Sequence, residues 1–545
     1  MSKAKPENVK AEMYLSDPLV ARKYASLGVQ EVELKPGPVV LDGPVSSRVA
    51  VVDYDTSQDT LYPAARFDAK ERRFKAPLDS HEFRQINAWA TVQHTLEMYE
   101  DAQTLGRRIP WGFDGNRLLV LPHAGYWENA FYDRKTKTLQ FFYFEANDER
   151  IYTCLSHDIV SHETGHAILD GIRPLYNFPS SPDTGGFHES LGDITAILAA
   201  LQHRTYVVVT IEEAKRDLRN DTIVAALAEQ FGTALYGGAN RYFLRNALNE
   251  KTMKDVEDSW EEHEYSEVLT GAVYEILIGM YDQQWKREQK KAAEAGHKPS
   301  PVKALLIAVR HLQRLALRAL DYCPPADVSY LDYAQAMLKA DSIAYPVDNF
   351  KYRNIVKKVC LRRGIARNEK ELEPHATPPR SAFAAYEFAN IDDSPVAAYH
   401  FLDRNRKVME IPENQDLHVV ALYGNAKEGD RKYQMPRELI LEYAWEHDIP
   451  LRGKRFGNLD GKSYPLLCGG TMVFDERANL LYWSPKLAEP ARIRRLEDYV
   501  AYLVKQQLIG VGDSPSALSR PFRTEGTARK VRMSRNPLAM HSRNR

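Results

Sequence analysis

The chain has 545 residues, of which 44% are hydrophobic and 27% charged, and its formal net charge is −1. This length allows two to four domains with ample cores. The balanced charge argues against a nucleic acid or a membrane surface as partner. No apolar run approaches the length of a transmembrane helix, and we recognise no secretory leader. Four scattered cysteines without metal-type spacing are typical of reduced thiols. We therefore expect a cytoplasmic protein, with secretion by a non-classical route as the alternative.

The first part of the chain is predicted to be rich in strands. Residues 1–45 are mixed and are interpreted as an N-terminal extension. Residues 46–155 contain several strand-like runs and one amphipathic helix. Two of these runs flank a polar turn and would place Asn129 and Ala130 on an edge strand. An edge strand offers free backbone groups to an extended peptide. The alternative is an ordinary edge hairpin without a ligand.

The segment Val160–Leu169 contains an H-E-x-x-H motif in an apolar, helix-compatible stretch. At 3.6 residues per turn, His162 and His166 lie on one face and can bind one metal ion. Glu163 can reach a water beside that ion and act as a general base. The motif also occurs on solvated helices, so further ligands are needed to support this interpretation.

A third ligand is expected in the helical pattern of residues 185–198. A catalytic zinc usually has three protein ligands, and Glu189 can supply the third. Asp193 follows one turn later and can hydrogen-bond a ligating histidine from behind. His188 is a competing ligand, and a charged helix face is the alternative for both carboxylates.

This pattern resembles that of thermolysin-like zinc metallopeptidases, the gluzincins, over roughly residues 45–366. The resemblance implies an α+β fold of two lobes, with a β-rich N-terminal lobe over 46–155 and a helical lobe with one zinc site over 156–366. Asp158 resembles a calcium ligand of the family, but Ala200 stands where another acidic ligand is expected, so calcium is not predicted.

The resemblance also implies roles for residues outside the motif. Asn129 and Ala130 would hold the peptide backbone, and Arg245 would bind a substrate carbonyl. His263 would stabilise the oxyanion, oriented by Asp258, and Tyr176 would share that task. From the residues alone, each has an alternative: a surface salt bridge for Arg245, a surface position in an acidic run for His263, and a packed aromatic for Tyr176. Ile159 and Leu244 resemble the walls of a pocket for a bulky apolar residue on the leaving-amine side.

The remainder of the chain carries no recognisable catalytic motif. Residues 367–380 contain three prolines and are interpreted as a linker. Residues 381–510 are predicted to form an accessory α+β domain of unknown role. Residues 511–545 are basic and are predicted to be a disordered tail.

The sequence therefore predicts a zinc metalloendopeptidase that acts on protein or peptide substrates. The alternative is a catalytically silent zinc-bearing protein that recognises a partner through its C-terminal region. An aminopeptidase is a lesser alternative, because no acidic anchor for a free amine is evident. The sequence makes no prediction about oligomeric state.

Overall fold

The computed structural model describes residues 8–178, 180–236, 245–384, 391–392, 394–429, 435–510, 520–527 and 529–536. The N-terminal lobe consists of short strands packed around one long helix. Its elements are β1 (Val9–Tyr14), α1 (Pro18–Lys23), β2 (Val29–Leu34), β3 (Val40–Leu41), β4 (Val45–Ser46), β5 (Val49–Val51), β6 (Tyr54–Asp55), β7 (Thr60–Leu61), β8 (Phe67–Asp68), β9 (Arg73–Phe74), α2 (His81–Glu100), β10 (Leu118–Leu121), β11 (Ala130–Asp133), β12 (Thr138–Phe141), β13 (Tyr143–Ala146) and β14 (Glu149–Tyr152).

Residues 8–45 are part of this lobe rather than an extension to it, and residues 1–7 lie outside the described ranges. β1 pairs with β2 and, in parallel, with β9, so the sheet crosses the predicted boundary. Val9, Ala11 and Met13 alternate along β1 and are fully buried in the core that contains Trp89 of α2. A second sheet has the order β11-β12-β10-β5-β4-β3, which makes β11 an edge strand.

Helices dominate the next part of the chain. They and two short strands are α3 (His157–Ile172), α4 (Pro182–Ala200), α5 (Arg204–Glu213), β15 (Ala226–Leu227), α6 (Glu229–Tyr236), β16 (Arg245–Asn246), α7 (Glu262–Ala295), α8 (Pro301–Arg318), α9 (Tyr330–Ala344) and α10 (Tyr352–Arg362). Every residue of α4 is buried, and this helix lies between α3 and α7. The predicted α+β fold with a β-rich part followed by a helical part is confirmed.

No single described helix is long and apolar enough to cross a membrane. The pair α4 and α5 meets the length and composition criteria only jointly, with a bend of 100° between them.

The described residues of the C-terminal region add further sheets and helices. Its elements are α11 (Pro395–Arg404), β17 (His418–Asn425), β18 (Glu438–Pro450), β19 (Ser463–Asp475), β20 (Leu480–Lys486), α12 (Pro490–Lys505), β21 (Ile509–Gly510), β22 (Phe522–Gly526) and β23 (Val531–Arg535). The strands β17 to β20 form an antiparallel sheet in sequence order. Leu439 and Leu441 of β18 face a separate local core, whereas Ile440 packs into the main core. Successive side chains of a strand point to opposite faces of the sheet, so β18 contributes residues to both cores.

The predicted disordered tail is wrong for residues 520–527 and 529–536. β22 and β23 form an antiparallel hairpin that continues the sheet from β21. Phe522, Val531 and Met533 are apolar residues spaced along these strands, and they are buried in the C-terminal core. Burial of these apolar side chains favours folding of the segment, although its overall composition is basic. The other residues of the predicted tail lie outside the described ranges.

The predicted linker is partly packed. Its first half forms a short 3₁₀ turn at Glu369–Leu372, and Leu372 is buried. Gln335 of α9 donates from Nε2 to the carbonyls of Glu371 and Glu373 at 2.7 and 3.2 Å. These contacts attach residues 369–373 to the helical lobe.

Candidate metal centre and active site

Two buried helices bring three metal-binding side chains together. α3 carries His162 and His166 one turn apart, with ring centroids separated by 4.7 Å. α4 contributes Glu189, whose Oε2 lies 3.5 Å from His162 Nε2 and whose Oε1 lies 3.7 Å from His166 Nε2. One donor atom from each of the three residues lies within 4.8 Å of the other two. The structure thus brings together the three ligands that the sequence predicted.

Two glycines permit the close approach of these helices. A Cβ on Gly192 of α4 would lie 2.5 Å from Cε1 of His162, so this ring rests directly on the helix backbone. A Cβ on Gly165 of α3 would lie 2.8 Å from the hydroxyl of Thr195 and 3.3 Å from Cα of Gly192. Side chains at either position would separate α3 from α4 and pull Glu189 away from the histidines.

Each histidine is supported from behind. Nδ1 of His162 lies 3.1 Å from Oδ1 of Asp193, which is where the sequence predicted a supporting carboxylate. Nδ1 of His166 lies 3.3 Å from Nδ1 of His188. His188, weighed as a competing ligand, therefore lies behind His166 and outside the three-residue set. Such contacts fix the orientation of each ring, with Nε2 on the side of Glu189.

The centre favours positive charge. Burial and the neighbouring Arg245 act to lower the pKa of His162, but hydrogen bonds to Asp193 and Glu189 outweigh them and raise it to about 9. The guanidinium of Arg245 lies against the same group, with Nε 2.8 Å from Oδ1 of Asp193. Two imidazoles and a carboxylate at these distances form a donor set that fits a divalent metal ion.

Glu163 lies next to the ligands and contacts the edge strand. It is 4% exposed, and its Oε2 accepts a hydrogen bond of 3.1 Å from the backbone N–H of Tyr132 in β11. Burial raises its pKa to about 7, partly offset by His162. A carboxylate with a pKa near neutrality is suited to take and return a proton at ordinary pH.

His263 reaches the centre, but its predicted partner does not. Its Nε2 lies 3.7 Å from Oε2 of Glu189, and its Nδ1 lies 2.8 Å from Oε1 of Glu261. Burial acts to lower the pKa of His263, but Glu189 and Glu261 raise it above its ordinary value. Asp258 is exposed in the turn before α7, so its predicted role as the orienting carboxylate is wrong. Glu261 is the N-cap of α7 and therefore lies beside the first helical turn.

Tyr176 is a core residue. Its side chain is fully buried, and its hydroxyl donates to the carbonyl of Pro324 at 2.7 Å. Burial raises its pKa well above 10. The structure contradicts the predicted oxyanion role, because the hydroxyl is committed to a backbone group of the neighbouring segment.

Arg245 contacts the ligands themselves. Its Nη2 lies 3.1 and 3.2 Å from the two ring nitrogens of His162, and its Nη1 lies 3.5 Å from Oε2 of Glu189. Sequence analysis did not predict these contacts, and its assignment of Arg245 to a substrate carbonyl stays a prediction. Leu244, the predicted pocket residue before it, lies outside the described ranges.

The predicted substrate strand is an edge. Ala130 begins β11, whose only neighbour in the described sheet is β12. Oδ1 of Asn129 accepts from the N–H of Ala130 at 2.8 Å, and its buried Nδ2 has no partner among the described residues. The same strand donates to Glu163, so peptide docking at this edge would place a backbone beside the base.

The C-terminal region borders the centre, which the sequence did not predict. Arg535 of β23 pairs with Glu262, the residue before His263, at 2.7 Å. Tyr499 of α12 stacks on Trp260 with ring centroids 5.9 Å apart. Arg495 of the same helix pairs with Asp183 at the start of α4. These contacts brace the ends of both helices that carry Glu189 and His263.

Comparison with known proteins agrees with this site. Residues 41–170 match the sequence profile of the family described as thermolysin metallopeptidase, catalytic domain. The match includes His162, Glu163 and His166, and it confirms the resemblance to thermolysin-like metallopeptidases over this segment. A metallopeptidase is the class of protein that the match supports.

Other comparisons add little. A solved structure of the precursor of protealysin, a metalloproteinase from Serratia proteamaculans, is 18% identical and has a TM-score of 0.39. The alignment covers 62% of this chain and 90% of that chain. No curated protein matches the sequence.

Proposed function

We propose that this protein is a zinc-dependent metalloendopeptidase that hydrolyses internal peptide bonds. The observation that carries the proposal is the convergence of His162, His166 and Glu189 within 4.8 Å, with the buried Glu163 beside them. The profile match over residues 41–170 supports the same reaction class. A bound zinc ion would supply Lewis acidity, which polarises a carbonyl and makes water more acidic.

Glu163, His263 and the edge strand β11 would carry out the remaining steps. Glu163 would take the proton of the attacking water and later deliver it to the leaving amine. His263, whose environment favours the protonated form, would donate a hydrogen bond to the developing oxyanion. The edge strand β11 would align the peptide through backbone hydrogen bonds, with the amide of Asn129 as a further donor.

The proposal is tested with internally quenched peptides whose two ends are blocked. An endopeptidase cleaves them at an internal bond, whereas an aminopeptidase requires a free amine. We further propose a preference for a bulky apolar residue on the leaving-amine side, so peptides with Leu, Gly or Asp there should be cleaved in falling order. Equal rates for all three would refute the preference, and cleavage of unblocked peptides only would refute the endopeptidase.

The supporting role of Asp193 predicts a loss of metal affinity. Asp193→Asn keeps the shape of the side chain but removes the charge that faces His162. We expect zinc affinity to fall about 10–100-fold, as for other supporting carboxylates. Competition with a chromophoric chelator measures this directly. Asp282→Asn is the control, because Asp282 pairs with Arg219 at the surface. Equal affinity in the Asp193 variant and the wild type would contradict the assignment.

The burial of Tyr176 predicts that its hydroxyl is dispensable for chemistry. Tyr176→Phe should leave kcat/KM within about twofold of the wild type, since its partner is a structural carbonyl. It should lower the free energy of unfolding by about 1–3 kcal/mol, because the Pro324 carbonyl loses its donor. His263→Ala is the contrasting variant, expected to lower kcat by about 10²–10³-fold. A loss of that size in Tyr176→Phe would restore the oxyanion role.

We also propose a cytoplasmic location. All four cysteines are free and buried, which suits a reducing compartment. Fractionation of the native source with detection of the full-length chain tests this, and recovery in the secreted fraction would overturn it.

A further inference from the structure

A second cluster of histidines lies outside the peptidase centre. His94 comes from α2, His157 is the first residue of α3, and His203 immediately precedes α5. One ring nitrogen from each lies within 4.8 Å of the other two, a limit that the three residues of the peptidase centre also meet. The ring centroids of His94 and His203 are 4.7 Å apart, and that of His157 lies 6.3 and 6.0 Å from them.

Four ring nitrogens of this cluster are buried and have no hydrogen-bond partner among the described residues. His157 is fully buried, and neither of its ring nitrogens has a hydrogen bond among the described residues. Nδ1 of His94 and Nε2 of His203 are likewise buried without a partner. Buried polar groups are normally paired, so unpaired ring nitrogens on three neighbouring histidines indicate a missing ligand.

The surroundings suit a metal ion better than a proton. Burial lowers the pKa of His94 to about 4 and that of His157 to about 3, and burial likewise holds the pKa of His203 well below its ordinary value. All three rings are therefore neutral at pH 7, and their lone pairs are available without displacing a proton. A carboxylate oxygen of Asp158 lies 4.0 Å from His157 Nδ1, which is beyond hydrogen-bonding distance.

We propose that His94, His157 and His203 bind a second divalent transition-metal ion, Zn²⁺, separate from the peptidase centre. Three imidazoles form a donor set that zinc accepts, with a fourth position left for water. His94 and His203 are only half-buried, so that position can open towards solvent. Nitrogens that share one zinc lie about 3.3 Å apart for bonds of about 2.0–2.1 Å, which small ring rotations would achieve here.

The position of the cluster indicates a structural role. Its three ligands come from three helices, and His157 begins the helix that carries His162, Glu163 and His166. A metal held there would tie the start of α3 to α2 and α5. Because these elements are distant in sequence, such a link stabilises the folded chain when metal is present.

Metal content of the full-length protein tests the proposal. We expect two zinc ions per wild-type chain after dialysis against metal-free buffer. The variant His94→Ala with His203→Ala should keep one, His166→Ala should keep one, and the three changes combined should keep none. His311→Ala is the control and should keep two, since His311 is a buried histidine already paired with Asp341 at 3.1 Å. A wild type with one zinc that the His94 and His203 changes do not remove would overturn the proposal.

A second measurement serves if those variants do not fold. His166→Ala leaves the three-histidine cluster unchanged, so its thermal unfolding should shift upwards when Zn²⁺ is added to metal-free protein. Co²⁺ should give visible absorption bands with this variant at one equivalent. Absence of both signals would overturn the second site. If His166→Ala gives these signals and the zinc-loaded wild type does not cleave peptides, only the peptidase proposal is refuted.

Discussion

Glu163→Gln is expected to lower kcat/KM for peptide cleavage by about 10²–10⁴-fold, the range that a positioned general base contributes. Glutamine has nearly the same shape and can still accept the hydrogen bond from Tyr132, but it cannot take a proton from water. Glu163 is not one of the three converging donors, so the metal content should not change. Steady-state cleavage and metal analysis on the same preparations give both quantities.

The matched control for this variant is Glu149→Gln. Glu149 is an exposed carboxylate that pairs with Arg22 at 2.8 Å, and this pair is not part of the candidate centre. Its loss should leave cleavage unchanged. A Glu163→Gln protein that binds metal and cleaves at the wild-type rate would show that another group is the base. If the wild type and the variant both bind zinc and neither cleaves, the silent zinc-bearing protein becomes the better account.

The second large effect is expected at a buried ion pair between the helical lobe and the C-terminal sheet. Arg173 directly follows α3, and Glu442 lies on the face of β18 that meets the lobe. Both side chains are fully buried and form a direct ion pair. Glu442→Ala would leave the guanidinium without its countercharge, and we expect a loss of about 3–5 kcal/mol in the free energy of unfolding.

Calorimetric unfolding of matched variants measures this effect. Replacing both partners, as in Arg173→Met with Glu442→Leu, should recover much of the stability, because no unpaired charge then stays buried. Asp498→Ala is the surface control: Asp498 pairs with Arg455 in solvent, and its loss should cost less than about 1 kcal/mol. Equal stability of Glu442→Ala and Asp498→Ala would show that the lobe and sheet do not depend on this pair.

The metal ligands could be predicted because helix geometry fixes their relation. His162 and His166 are one turn apart, and so are Glu189 and Asp193, so each pair shares a face wherever its helix lies. Which residue faces which across the two helices depends on their packing. His188 illustrates this limit, since only the fold shows that it lies behind His166.

Predictions that depended on helix boundaries or side-chain packing were less accurate. The family resemblance implied that Asp258 orients His263, but in the structure Glu261, the N-cap of α7, is the residue that pairs with His263. Tyr176 points into the core because its hydroxyl meets a carbonyl from a segment distant in sequence. Residues 520–527 and 529–536 of the predicted basic tail form a hairpin because Phe522, Val531 and Met533 pack into the C-terminal core.

The three-histidine cluster illustrates the strongest limit of sequence reasoning. His94, His157 and His203 share no local spacing, and no short motif connects them. Only the packing of α2, α3 and α5 brings their rings together. Residues that are far apart in the chain and meet only in the fold leave no periodic pattern in a single sequence.

The most direct test of the central claim removes the metal from the wild type with a chelator and then restores Zn²⁺. Cleavage of a blocked peptide is followed throughout, and His166→Ala is treated in parallel. The peptidase account predicts that cleavage disappears with the metal and returns with zinc in the wild type, and that His166→Ala stays inactive throughout. Cleavage that persists in metal-free protein, or that zinc supports equally well in His166→Ala, would contradict it.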